Sequence, residues 1–367
     1  MEAKKQVLIS PLNWGLGHAT RITPVIRRFL DNGWDVVLAA DGKAYSYLLQ
    51  EFPSLPIYQL PGIKVSYGTW LPLWMTMVWQ IPRIFLGIGR EHRGIQKITA
   101  ARHVDLIVSD NRYGLWHKTI PAVFVSHQIY IRPPLNLPFL QPAIFHVSNY
   151  FMKKFTFRWV PDFYDGKTLS GKLSHPAVDE NTYYIGPLSR LEPQRVTEAY
   201  DFVIMLSGPE PQRTLLEKKI AASPGLKSHR VAIIRGLPGS SAIPDYLKDV
   251  ETYNHLSSEK LSRLISGAAF VISRSGYSTV MDLYYLNKPA VFIPTPGQTE
   301  QEYLAQHLEG DSYTAISQKS FSLEKAIASG KRLAAPQQSK FFGHAQSHID
   351  EIIASFNGKG DTKAPQK

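Results

Sequence analysis

The sequence predicts an α/β protein of two domains, each a parallel sheet with helices on both faces. Three observations carry that expectation. The chain has 367 residues, more than a single core usually organises. Short apolar runs alternate with helix-length amphipathic stretches, the pattern of parallel strands joined by crossover helices. That alternation occurs twice, and the two series are separated by a polar stretch rich in glycine, proline and tyrosine at 161–191.

In the first series, strands are expected at 6–10, 35–40, 56–60, 105–109 and 122–126, with helices at 19–32, 43–51 and 82–102. A strand-like run at 183–185 lies in the hinge stretch. The second series places strands at 202–206, 230–234, 247–253, 269–272 and 290–293. Its helices fall at 212–222, 258–266 and 278–286, with another opening near Gln301. The expected division is residues 1–190, residues 191–338, a C-terminal helix at 339–356 that packs back towards the first domain, and a disordered tail at 357–367.

Composition narrows the function. Hydrophobic residues make up 44% and charged residues 19%, which suits a packed globular chain and argues against disorder. With no cysteine there is no disulfide framework, thiolate metal site or cysteine nucleophile. Met1-Glu-Ala-Lys-Lys5 runs straight into a strand without a secretory apolar region, so a cytoplasmic protein is expected. The net charge of +11 calls for an anionic partner. Zinc-finger and ribonucleoprotein signatures are missing, so nucleic acid is not the expected partner. The G-x-x-x-x-G-K-[ST] loop of nucleotide kinases is missing as well.

Ligands of parallel sheets bind beyond the carboxyl ends of the strands, which directs attention to the loops there. Leu12-Asn-Trp-Gly-Leu-Gly-His-Ala-Thr-Arg21 follows the first strand. Gly15 and Gly17 permit a tight turn and close approach of a ligand, and Asn13 lies in the same loop. His18 stands at the helix start, where an imidazole of ordinary pKa about 6.5 suits deprotonation of a hydroxyl. The pattern G-x-G-x-x-T departs from a dinucleotide fingerprint, although Asp41 at the end of the second strand keeps nicotinamide binding open. Asp110 and His127 end two further strands at the same rim. Asp110 is the candidate orienter of His18 and His127 a candidate acceptor contact.

In the second series, Val271-Ile-Ser-Arg-Ser-Gly-Tyr-Ser-Thr-Val-Met-Asp282 reads as strand, small-residue turn and helix. Such a turn presents backbone N–H groups to an anion, and Asp282 is placed to hold sugar hydroxyls. Ser207-Gly-Pro-Glu-Pro-Gln-Arg213 follows another strand, with Gly208 for close approach and Arg213 as a counter-charge for a diphosphate. No D-x-D triplet is present, so no metal is expected. Residues 62–88 hold Trp70, Trp74 and Trp79 among many aliphatic side chains, with Arg83, Arg90, Arg93 and Lys97 following. The apolar run is shorter than the roughly 20 residues that span a bilayer, so it suits an anionic membrane surface, a lipid-linked acceptor or a buried interface.

These segments resemble the GT-B glycosyltransferases, above all the family-28 group. Asn13-Trp-Gly-Leu-Gly-His18 and Arg274-Ser-Gly-Tyr-Ser-Thr279 through Asp282 to Gln301 carry the likeness; the second is similar to the family's R-S-G-x-x-T-x-x-E motif and following P…Q loop. The resemblance implies two Rossmann-like domains whose parallel sheets face each other across a cleft. It also implies inverting, metal-independent transfer of a hexosyl group, often N-acetylglucosaminyl, from a UDP-sugar co-substrate to a lipid-linked or glycan acceptor. Carried over by position, Arg274, Ser275, Gly276 and Thr279 belong to the nucleotide-sugar site. Asp282 would hold the ribose, Gln301 the donor sugar and Leu256 the uracil, while His18 is the acceptor-activating base. Asp282 replaces a glutamate and Glu302 a second glutamine, departures that separate this chain from the peptidoglycan enzyme of that family. A UDP-sugar epimerase and a non-catalytic nucleotide-sugar or lipid-binding protein are the alternatives.

Overall fold

The computed structural model describes residues 4–63, 79–133, 137–177, 179–197, 199–337 and 342–356. They form two compact units, with the chain passing from one to the other between Leu188 and Ser189 and returning to the first at its C-terminal end.

The first unit is built on seven parallel strands: β1 (Gln6–Pro11), β2 (Asp35–Ala40), β3 (Ile57–Gln59), β4 (Leu106–Asp110), β5 (Ala122–Val125), β6 (Phe157–Val160) and β7 (Thr182–Tyr184). Their order across the sheet is β3-β2-β1-β4-β5-β6-β7. The crossovers include α1 (Gly17–Asp31), α2 (Gly42–Glu51), α3 (Ile81–Ala101) and α4 (Gln141–Met152). Strands β1, β4 and β5 are buried almost throughout, as expected of central parallel strands covered on both faces. Leu8, Val37, Ile107 and Phe124 from four strands meet Ile95 and Ile98 of α3 in one core.

The second unit carries six parallel strands: β8 (Tyr200–Met205), β9 (Val231–Ile234), β10 (Glu251–Tyr253), β11 (Ala268–Ser273), β12 (Ala290–Phe292) and β13 (Tyr313–Ala315), in the order β10-β9-β8-β11-β12-β13. Between them run α5 (Gln212–Ala221), α6 (Ser258–Ser266), α7 (Tyr277–Tyr285), α8 (Thr299–His307) and α9 (Leu323–Gly330). Phe202, Ile204, Phe270, Ile272 and Val291 form the centre of its core. A last helix, α10 (Phe342–Ser355), belongs to the first unit, where Arg28 of α1 donates to Asp350 at 2.5 Å. The Phe356 ring meets Phe157 of β6 edge to face.

Elements α4, β6, β13 and α9 are not anticipated by the alternation read from the sequence. Helix α4 opens at Gln141-Pro142 behind a proline-rich run and buries only Ser148 and Met152, so its periodicity is weak. The expected strand at 247–253 narrows to β10, because Asp245–Leu247 forms a 3-10 turn ahead of it. Trp70, Trp74 and the tail at 357–367 lie outside the described residues.

Candidate active site

Strand register explains why three distant residues meet in the first unit. Pro11 pairs with Asp110, and Asp110 pairs with Val125, so the loops after β1, β4 and β5 leave the sheet at one level. His18 sits in the first turn of α1, and Arg21 is one turn further along the same face. The His18 Nδ1 lies 3.2 and 3.3 Å from the two carboxylate oxygens of Asp110. Asp110 is wholly buried and also receives Arg21, through Nε at 3.0 and 3.1 Å and through a close Nη2 contact. Arg21 Nη1 reaches His127 Nδ1 at 2.8 Å.

The electrostatics of this cluster are coupled. Burial alone raises the Asp110 pKa, but the charges of Arg21 and His18 outweigh it and hold the carboxyl below its usual range. Burial, with help from the Arg21 charge, lowers the His18 pKa below 6.5 despite the pull of Asp110. The ionised carboxylate only accepts, so His18 Nδ1 donates to it and Nε2 keeps the lone pair. This is the nitrogen arrangement of an oriented general base.

The rest of the loop after β1 is put to structural use. Asn13 Oδ1 accepts from Ala44 N at 3.4 Å, and its amide fills the space that a Cβ on Gly42 would occupy. Gly15 adopts φ +84° with open space around it, a backbone that favours glycine. Asp41 borders Gly62 N at 3.2 Å and the buried Arg112 at 3.7 Å.

In the second unit, β8, β11 and β12 end in register at Met205, Ser273 and Phe292. Arg274, which is buried, stitches their loops together, donating to Ile293 O at 2.9 Å, Pro294 O at 3.2 Å and Gln212 O at 3.0 Å. Among the described residues no carboxylate offsets its burial, which pulls its pKa down to about 10. Ser275 Oγ donates to Gln301 O at 2.7 Å. Gly276 caps α7 with ordinary dihedral angles and open space where a Cβ would stand, so the fold itself does not require glycine there. Thr279 is half-buried in the first turn of α7. Gly208 does require its residue type: φ is +101°, and a Cβ would approach Thr295 Oγ1 at 3.2 Å.

Three of the expected site residues have protein partners that the sequence did not announce. Arg213 is paired within its own unit. Glu210 and Glu217 bind its guanidinium at 2.6 and 2.8 Å, and Glu217 also takes Arg235 at 2.8 Å and Tyr246 at 2.7 Å. Gln301 turns its amide inward, accepting from Thr295 N at 2.9 Å and donating to Gln298, so it shapes the loop after β12. Arg274 faces the backbone carbonyls of Ile293, Pro294 and Gln212.

Asp282 is half-buried; its Oδ1 accepts from Ser189 Oγ at 2.6 Å. Burial pushes its pKa up to about 6, with the Arg190 charge and the Ser189 hydrogen bond opposing. Arg190 in turn donates to Ser258 Oγ at 2.5 Å. Leu256 is 8% exposed just ahead of α6. Ser189, Arg190 and Arg21 are site neighbours that the sequence reading missed. Arg21 was visible in the motif, three residues after His18, which is one helical turn.

Comparisons with known proteins show what the chain is similar to. Residues 241–353 match the glycosyltransferase family 28 C-terminal domain. An uncharacterized glycosyltransferase of Methanopyrus kandleri is 23% identical over 295 residues, covering 75% of this chain and 81% of that one. Among solved structures, the glycotransferase of kitacinnamycin superposes with a TM-score of 0.63 at 13% identity, covering 97% of this chain and 96% of its own. Acinetobacter baumannii MurG does so at 0.54 and 14%, covering 96% and 99%. The chain therefore has the GT-B fold of these glycosyltransferases, and its residues 241–353 are similar to the family 28 C-terminal domain.

Proposed function

We propose that the protein transfers a hexosyl group, N-acetylglucosaminyl by preference, from a UDP-sugar to a hydroxyl of a lipid-linked or glycan acceptor. The observation that carries this reading is the buried pairing of His18 Nδ1 with an ionised Asp110. It leaves Nε2 to take the acceptor proton as the hydroxyl oxygen attacks the anomeric carbon. The bond to the diphosphate breaks as the new glycosidic bond forms, so a single displacement inverts the anomeric centre. UDP departs with the electron pair. The second unit supplies the donor half: Ser275, Gly276 and Thr279 by the diphosphate, Asp282 on the ribose and Leu256 against the base. The buried charge of Arg274 stabilises the leaving phosphate from below.

An apolar surface ringed by cations supports a membrane-linked acceptor. Trp79, two residues ahead of α3, is 77% exposed, Leu86 on α3 is 62% exposed, and Tyr150 on α4 is 60% exposed. Phe85 and Phe151 join the two helices, with ring centroids 5.9 Å apart. Arg83, Arg90, Arg93 and Lys153 are exposed around them. Among the described residues no helix is long and apolar enough to cross a membrane. The arrangement suits peripheral binding to the cytoplasmic leaflet.

The test is UDP release from UDP-N-acetylglucosamine in the presence of detergent-dispersed cell lipids. His18→Ala should lower the rate by about 10²–10⁴ while leaving the UDP-induced thermal shift intact. Unchanged release would remove His18 from the chemistry. For the membrane, sedimentation with anionic vesicles should weaken in high salt and with Trp79→Ala; no sedimentation at low salt would refute surface binding.

A further inference from the structure

Two histidines, His18 and His127, stand beyond the carboxyl ends of the same sheet, and one side chain touches both the carboxylate partner of the first and the ring of the second. Arg21 is 3% exposed and forks between Asp110 and His127 Nδ1. A guanidinium has donors and no acceptor, so the His127 Nδ1 that meets it accepts. The neutral His127 ring then carries its proton on Nε2. Asp110, ionised and acceptor-only, imposes the opposite choice on His18, whose Nδ1 donates.

We propose that Arg21 is a positioning residue that, together with Asp110, sets opposite tautomers in the two rings: Asp110 holds Nδ1–H in His18, so that Nε2 is basic, and Arg21 holds Nε2–H in His127, which is thereby excluded as the base. The inference rests on the reading of His18 as the acceptor-activating group, and it adds the reason one histidine rather than the other has that role. Its second consequence concerns charge. The groups facing His18 are Arg21 from its own helix, Asp110 from the end of β4 and His127 from beyond β5. Burial and the Arg21 cation disfavour the imidazolium, while Asp110 favours it. Arg21 thus keeps the His18–Asp110 pair from trapping a proton, and the ring stays neutral, ready to receive one from substrate.

The experiment is a ¹H–¹⁵N long-range correlation titration of the full chain with ¹⁵N-labelled histidine. The twelve rings are sorted by the loss of signals in His18→Gln and His127→Gln. Wild type should show the Nδ1–H pattern for His18, titrating below 6.5, and the Nε2–H pattern for His127. In Arg21→Gln the His18 midpoint should move up and His127 should show mixed tautomers. Arg21→Lys keeps the charge but cannot span both partners, so it should leave the His18 midpoint low and still mix the His127 tautomers. It also serves if the glutamine variant fails to fold. A His127 pattern unchanged in either variant, or an unmoved His18 midpoint in folded Arg21→Gln, overturns the proposal. The same variants are then assayed for UDP release from UDP-N-acetylglucosamine. The acidic limb of kcat/KM should move by the amount the NMR midpoint moves. If the ring titration shifts and the limb does not, Arg21 still governs the tautomers and it is His18 as base that fails.

Discussion

Replacing Asp282 with asparagine should stabilise the ligand-free protein at alkaline pH, although the residue belongs to the candidate donor site. Its carboxyl rises from 3.8 to about 6 on folding, chiefly by burial, a difference of about 2 pH units. At about 1.4 kcal/mol per unit this is about 3 kcal/mol, and partial exposure of the side chain brings the expectation to about 2 kcal/mol. The folded pKa is raised, so the folded state binds the proton more tightly. The favourable contribution is complete below about 3.8 and disappears as pH climbs through about 6. Wild type should therefore lose stability between pH 5 and pH 8, and Asp282→Asn should lose less. At pH 8 the variant should melt about 4–8 °C higher than wild type, given about 2–4 °C per kcal/mol for a domain of this size. Thermal unfolding followed by circular dichroism at pH 5 and pH 8 makes the comparison. UDP protection should move oppositely, appearing in wild type as Asp282 ionises and weakening in the variant. A variant less stable than wild type by the same margin at both pH values would refute the reasoning, because the Ser189 hydrogen bond alone would then dominate.

Two further perturbations test the packing of the second unit. Gly330→Ala places a Cβ 2.3–2.6 Å from the buried Phe270 ring, and overpacking should exceed the helix-propensity gain to give a net loss of about 1–2 kcal/mol in chemical denaturation. Glu217→Ala strips the shared partner from Arg213, Arg235 and Tyr246. It should cost about 3–5 kcal/mol through orphaned buried charge, with Glu217→Gln recovering part of it; equal stability of all three proteins would show that solvent already serves these groups.

The topology was legible in the sequence because parallel strands announce themselves as short apolar runs, and the carboxyl-end rule then picked out His18, Asp110 and His127 together. Side-chain employment was less visible. Arg213 follows a glycine-containing turn and looks available for phosphate, yet its partners include Arg235's own acid, Glu217, and the pairing is decided by how α5 lies beside β9. Arg21 bonds Asp110 at a separation of 89 positions and His127 at a separation of 106, distances along the chain that local pattern cannot bridge. Gln301 sits where the family motif has a sugar contact, but its amide is consumed by Thr295 and Gln298 within its own loop. Motifs locate a site through backbone geometry; which charge remains for a ligand is a property of the finished packing.

The clasp between Arg28 and Asp350 spans 322 positions, and it has a kinetic meaning. On a ribosome, the first unit emerges early but must wait for the whole second unit before α10 arrives to cover α1. At about 5–20 residues per second, the roughly 150 intervening residues impose a delay of about 8–30 s. Throughout that interval the face of α1 that α10 will cover is open to solvent and to neighbouring nascent chains. Chaperone demand during synthesis should accordingly concentrate on the half of the protein made first.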